Sequence, residues 1–283
     1  MIRTRLLAWS STYILLISLI ALVGCSPFPS NSDAPATPIT PLALPSRTTT
    51  PTTPSTPTTS TSSADWTTYH RDNARTGYLP NAPDPHQLTR NWNMHLDGAV
   101  YAEPLVVNGH VIVATEGDSL YSLDARTGQV QWNTNVGVPV PLSSLPCGNI
   151  DPLGITGTPV YDPATRLIFA VAEVRGPAHV LVGIDVNTGQ VRVRRVADPA
   201  GIEVTPHQQR AALALSGGMV YIAYGGLDGD CGNYHGWVVA SRTDGQGPLL
   251  TYQVPTPREG GIWAASGPAI DANGHHLCRR RQW

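Results

Sequence analysis

The sequence predicts an all-β fold, specifically a β-propeller of four-stranded blades that is incomplete, with about three to four blades present. Short apolar runs alternate with tight Gly-, Asn- and Asp-containing turns. The strand-and-turn unit then repeats along the chain. Gly (27) and Pro (26) are abundant while charged residues make up only 13%, as suits many strands joined by turns.

The first 24 residues form an address rather than part of the fold. Arg3 and Arg5 precede the mostly apolar, uncharged run Leu6 to Val23. The run ends in Leu22-Val23-Gly24-Cys25, which resembles the bacterial lipobox. That resemblance implies cleavage after Gly24, a diacylglycerol on the Cys25 thiol, and a membrane partner held through the lipid. The expected location is the bacterial cell membrane, with the domain facing the periplasm or the exterior. A single membrane-spanning anchor is the alternative.

Residues 25–64 comprise the lipidated Cys and a tether rich in Thr, Pro and Ser, including the cluster Thr48 to Thr61. This composition buries too little apolar surface to offset chain entropy, so the tether is expected to be disordered. At about 3.1 Å per residue for Pro-rich chain it could reach on the order of 100 Å.

Residues 65–274 hold the repeats. Tyr101 to Val107, His110 to Thr115, Ser119 to Asp124 and Gln129 to Asn135 read as a four-stranded meander. Its turns fall at Asn108-Gly109, Glu116-Gly117-Asp118 and Arg126-Thr127-Gly128. A second unit uses Thr158 to Tyr161, Leu167 to Ala172, His179 to Asp185 and Gln190 to Val196, with a turn at Asn187-Thr188-Gly189. A third uses Arg210 to Leu215, Met219 to Tyr224, Gly236 to Arg242 and Leu249 to Val254. A fourth starts at Ala265 to Ile270 and turns at Asn273-Gly274. Second strands near positions 112, 168 and 221 give a period of roughly 55, a propeller-blade repeat lengthened by loops. A two-sheet sandwich is the alternative fold, and it would not require the same turn in each unit.

The run Leu120-Tyr121-Ser122-Leu123-Asp124-Ala125-Arg126-Thr127-Gly128-Gln129-Val130-Gln131-Trp132 resembles the repeat of PQQ-like, quinoprotein-type β-propellers. The resemblance implies that Trp132 packs between blades. The second copy has Val193 at that place, and the third, Ser241 to Gly245, is more degenerate. Trp237, in the cluster Tyr234-His235-Gly236-Trp237, is also assigned to inter-blade packing.

Fold alone does not decide function, because the family holds both PQQ-dependent dehydrogenases and non-catalytic assembly factors. No vicinal Cys pair is present, and no catalytic set can be assembled. Asp228, Asp230 and Asn233 lack Ca²⁺-loop spacing and read as a solvated turn. Glu173 and Asp151 stand alone, and His179, His207 and His235 look scattered. The reading is a binding or scaffold module with a protein or glycan ligand, no catalytic residues and no metal site. The rival is a fragment of a PQQ-dependent alcohol or sugar dehydrogenase, with PQQ and calcium bound by residues elsewhere. A third reading is a non-functional pseudogene product. Otherwise the cofactor is unknown. A net charge of −2 gives no basic face, so nucleic acid is not expected.

The segment 275–283, His-His-Leu-Cys-Arg-Arg-Arg-Gln-Trp, is not the apolar strand that should follow Gly274. Encoded as CAC CAT CTA TGT CGC CGT CGG CAA TGG and read one base forward, it becomes Thr-Ile-Tyr-Val-Ala-Val-Gly-Asn, the missing strand. The expectation is a frameshift tail, with a native basic tail as the alternative. Of the four cysteines, Cys25 carries lipid and Cys278 falls in the tail. Cys147 and Cys231, each beside Gly-Asn in loops of adjacent repeats, are expected to pair outside the cytoplasm.

Overall fold

The computed structural model describes residues 65–278. Strands β1 (Leu105–Val107), β2 (His110–Ala114), β3 (Ser119–Asp124) and β4 (Val130–Asn135) form an antiparallel meander, blade 1. Blade 2 is β5 (Val160–Asp162), β6 (Leu167–Val174), β7 (Ala178–Asp185) and β8 (Val191–Val196). The short β9 (His207–Gln208) joins blade 3, which is β10 (Ala214–Ser216), β11 (Met219–Gly226), β12 (Trp237–Arg242) and β13 (Leu250–Gln253). β14 (Ala269–Ile270) and β15 (His276–Leu277) pair as a last hairpin.

Burial explains the strand compositions. The middle strands are covered on both faces, so β6 reads Leu-Ile-Phe-Ala-Val-Ala-Glu-Val with hardly a polar residue. Its side chains alternate. Ile168, Ala170 and Ala172 pack with Leu105, Ile112 and Leu120 of blade 1. Leu167, Phe169 and Val171 pack with Ile222, Tyr224 and Val239 of blade 3. The outermost strands β4 and β8 are mainly solvated, and each buries the same third residue, Trp132 and Val193.

The turn between third and fourth strands is set by an aspartate. Asp124 Oδ1 accepts from the N–H groups of Arg126 and Thr127 at 3.0 and 2.8 Å. Asp185 does the same for Asn187 and Thr188 at 3.0 Å each. Gly128 and Gly189 then take φ of 73° and 71°, which glycine adopts without strain. Both blades also carry a bulge at matching places, Ser122/Leu123 and Gly183/Ile184.

The segment after Gly274 differs from the sequence expectation that it forms no strand. His276 and Leu277 pair with Ile270 and Ala269. The Asp271 carboxylate accepts from the N–H groups of Asn273 and His275 at 2.8 Å each, closing the hairpin. Backbone pairing needs no apolar side chain here, and both residues of β15 are exposed. Residues 279–283 lie outside the described residues, as do the signal segment, Cys25 and the tether.

Candidate binding face

Each blade presents two ends. The turns from first to second and third to fourth strand lie together, as the 3.0 Å bond from Ala125 N–H to the Gly109 carbonyl shows. The turns from second to third strand, with the links between blades, lie at the other end.

The first end is spanned by the chain's own residues 65–75. Trp66 exchanges backbone hydrogen bonds with Val106 in blade 1 at 2.7 and 3.0 Å, and the Thr67 carbonyl accepts from Tyr161 in blade 2 at 2.8 Å. Asn73 Nδ2 donates to the Leu215 carbonyl of blade 3 at 2.8 Å, and its carbonyl accepts from Ile270 of β14 at 2.9 Å. Arg75 Nη2 donates to the carbonyls of Leu213 and Pro268 at 3.0 and 2.9 Å. This clasp touches the first strand of every blade. No apolar periodicity marks it in the sequence.

The second end holds buried acids. Glu116 Oε2 accepts from Gly154 N–H at 2.6 Å and its Oε1 accepts from Thr156 Oγ1 at 2.8 Å, so blade 1 grips the strand entering blade 2. Glu173 repeats the device one blade on, accepting from Gln209 N–H at 2.7 Å. Sequence reasoning leaves Glu173 isolated, and the structure corrects this. His179 Nε2 lies 3.7 Å from Glu173, and its Nδ1 lies 2.6 Å from Asp198. His207 Nδ1 sits 2.6 Å from the Glu203 carbonyl, and its Nε2 accepts from His235 N–H at 3.1 Å. His179 and His207 are therefore tied in rather than scattered, while His235 meets His207 through its backbone.

Asp118 lies beside these acids, fully buried, with neither carboxylate oxygen hydrogen-bonded. Burial, with Glu173 and Glu116 nearby, pushes its carboxyl up to about 8, so it holds its proton at neutral pH. Burial raises Glu173 to about 7. Burial opposes charge on His179, but Glu173 and Asp198 outweigh it and hold the imidazole above its ordinary value. His207 is drawn down to about 4 by burial.

Cys147 and Cys231 form a disulfide with Cα atoms 6.1 Å apart. It joins two loops around an apolar cluster of Val140, Leu153 and Leu227, with Leu145 and Ile150 at its edge. A small, part-open cleft lies between loop 227–230 and the strand entering β14. Asp228 and Asp230 line it, and Tyr234 Oη donates to the Asp230 carboxylate. Asn233 does not line the cleft, and Asp151 lies in the other disulfide-tied loop, where its carboxylate accepts from Leu142 N–H at 3.0 Å. Among the described residues no group of three or more His, Cys, Asp or Glu is arranged to hold a metal ion.

Trp132 packs across a blade boundary. Its Nε1 donates to the Val186 carbonyl at 2.8 Å, and a Cβ added to Gly189 would lie 2.8 Å from its ring. Trp92 does the same one blade earlier, donating to the Ala125 carbonyl at 3.0 Å and lying over Gly128. Sequence reasoning missed Trp92, which precedes Trp132 by 40 residues rather than by the roughly 55 of the strand repeat. Val193 over Gly245 is the third rung, with Arg195 Nη1 on the Gly245 carbonyl at 3.1 Å. Trp237 is half-buried against the cluster shared by blades 2 and 3.

A family profile described as outer membrane protein assembly factor BamB (PQQ_2) matches residues 89–225. No curated protein matches the sequence. Among solved structures, quinohemoprotein alcohol dehydrogenase from Comamonas testosteroni is similar at 18% identity and a TM-score of 0.57, over 74% of this chain and 34% of its own. A europium-containing methanol dehydrogenase is similar at 19% identity and 0.52, over 69% of this chain and 33% of its own. The chain thus spans about one third of the length of these structures, and at such identities the likeness speaks for the fold. Blade topology, the indole-on-glycine rungs and the profile match agree: over residues 89–225 the repeats are those of the PQQ-like β-propeller family.

Proposed function

We propose that this chain is a lipid-anchored, extracytoplasmic β-propeller that acts as a binding or scaffold module. One observation carries the non-catalytic part of the reading. The buried carboxylates of Glu116 and Glu173, the acids best placed for chemistry, direct their oxygens to backbone N–H groups of the next blade. Their arrangement serves blade-to-blade cohesion. The vicinal Cys pair of many quinoprotein dehydrogenases has no counterpart, and the donor set offers no metal-ligand group among the described residues. The residues present thus do not fit a PQQ and calcium site.

The disulfide supports the compartment, since such bonds persist in oxidising surroundings. The chain enters the domain at Asp65, whose carboxylate accepts from Asn108 N–H at 3.2 Å, on the clasped end.

The reading is tested in the full-length chain by labelling with an alkyne fatty acid and by assay with PQQ, Ca²⁺ and a redox dye. Label on the wild type and none on Cys25→Ser is expected, with no oxidation of primary alcohols or aldoses. An unlabelled wild type overturns the anchor. Dye reduction that depends on PQQ overturns the module in favour of the dehydrogenase reading.

A further inference from the structure

Three segments follow one plan, and only two of them belong to a complete blade. In blades 1 and 2 an aspartate, Asp124 or Asp185, stands eight residues before the outer-strand side chain that packs on the next blade, Trp132 or Val193. Asp84 stands eight residues before Trp92. Asp84 Oδ1 accepts from His86 N–H at 2.9 Å, as Asp124 Oδ1 accepts from Arg126 N–H at 3.0 Å. Leu96 packs with Trp92 on Val113 and Tyr121 of blade 1, four residues after it, just as Val136 and Ala197 stand buried four residues after Trp132 and Val193. Residues 84–97 therefore have the form of the last turn and outer strand of a blade before blade 1. Their third strand has no counterpart: among the described residues, 83–98 make no backbone–backbone hydrogen bond. An open strand edge of this kind is a template for pairing.

The far side of the stack is incomplete in the complementary way. β14 and β15 pair as the first two strands of a blade after blade 3. His276 lies against Tyr221 with ring centres 3.9 Å apart, and Cys278 packs on the cluster of Ala223 and Ile262. The outer part of blade 3 stays bare. Leu250 pairs with Ala240 as Trp132 pairs with Ser122 and Val193 with Gly183, so it holds the same place in its blade. Trp132 and Val193 are 9% and 7% exposed, whereas Leu250 is 60% exposed and Tyr252, on the same face, 57%. On the first side, Leu88 occupies the place that Gly128 and Gly189 hold in the other turns, and it is 83% exposed.

We infer that these two incomplete sides form one interface, head to tail, between two copies of this chain. Residues 84–97 of one copy lie beside β14 and β15 of the other, and Leu250 and Tyr252 of that other copy pack on the turn that carries Leu88. Together the two copies supply the first, second and outer strands of one blade. The contact continues the blade-on-blade packing made twice within the chain. Within one chain, residues 84–97 pack on blade 1 and β14–β15 on blade 3, with blade 2 between them. A head-to-tail contact must close or propagate. With three complete blades per chain, two copies close with six complete and two shared blades, within the four to eight typical of propellers, and a third copy exceeds that range.

Sedimentation of the full-length chain, with detergent micelles in excess over chains, tests the contact. The wild type is expected to be a dimer with Kd below about 10 μM. Leu88→Glu damages the head and spares the tail, and Leu250→Glu does the reverse. Each alone is expected to raise Kd at least about tenfold. An equimolar mixture of the two keeps one undamaged contact and is expected to recover dimers, which a two-fold contact through a single shared patch would not do. Both side chains are exposed, so the melting temperature of either monomer should be unchanged, and Tyr252→Glu replaces Leu250→Glu if that variant does not fold. A wild type that is monomeric at about 100 μM overturns the inference. So do assemblies larger than a dimer, dimers indifferent to both variants, and variants that stay monomeric when mixed.

Discussion

Trp132 Nε1 donates to the carbonyl of Val186 at 2.8 Å, across the boundary between blades 1 and 2. The bond ends a sequence separation of 54 residues, and the ring it orients lies flat over Gly189. Trp132→Ala removes both the bond and a buried ring, and is expected to lower stability by about 3–5 kcal/mol. Gly189→Ala keeps the ring but sets a Cβ against it at φ +71°, and should cost more than about 1 kcal/mol. Urea denaturation of the two variants checks this. A Trp132→Ala midpoint equal to wild type would mean that the rungs do not hold the blades together.

Glu116 separates the need for an oxygen from the need for a charge. Glu116→Gln keeps one acceptor for Gly154 N–H, and its amide can donate to Thr156 Oγ1 once that hydroxyl turns. It is expected to cost less than about 1 kcal/mol. Glu116→Ala leaves a buried N–H without an acceptor and should cost about 2–3 kcal/mol. Equal losses in the two variants would point to the negative charge instead.

Asp118 makes stability depend on pH. Its folded pKa, about 8, lies above its ordinary value, so between roughly pH 4 and pH 8 the folded state binds more protons than the unfolded one. Its contribution is full below about pH 4 and is lost as pH rises through 8. Glu116, Glu173 and His179 are shifted upward too and act in the same direction. His207, drawn down to about 4, limits stability from the acid side as pH falls below its ordinary value. Melting temperature should therefore fall from pH 6 to pH 8.5, and Asp118→Asn should flatten that fall. The variant is expected to be more stable than wild type by about 2 kcal/mol or more at pH 8.5. A wild-type profile level over this range would refute the assignment.

The parts of this fold that were legible in the sequence are those with a local signature. Asn108-Gly109 and Asn187-Thr188-Gly189 marked turns because left-handed backbone favours Gly and Asn. The alternating and continuous apolar runs marked the strands of three blades, and two loop cysteines in a chain read as exported marked their own pairing. What stayed hidden depends on partners without sequence identity. Glu116 and Glu173 bond backbone N–H groups about one blade away, and any residue supplies such a group. The clasp around Asn73 and Arg75 likewise bonds carbonyls and carries no hydrophobic period.

Cys147 and Cys231 are 84 residues apart, so their bond closes a long loop. Its removal in Cys147→Ser/Cys231→Ser should lower stability by about 2–4 kcal/mol. The loops at 142–153 and 227–234 should then be cut sooner in limited proteolysis than the strands. Unreduced wild-type protein should resist alkylation at both positions. Labelling of both thiols without reductant would exclude the bond.

The clasp also sets a timetable. Arg75 finds its carbonyl acceptors at Leu213 and Pro268, 138 and 193 residues further on, and Asn73 meets Ile270. Residues made early thus settle only after the last described strands exist, and contacts so distant in sequence close slowly. A chain that emerges N-terminus first leaves Asn73 and Arg75 without these acceptors until Ile270 has been made, although Trp66 can already pair with blade 1. Blades 1 to 3 can form meanwhile from their own short hairpins. Closure of the clasp is therefore gated by the arrival of Pro268 and Ile270 rather than by the folding of any single blade.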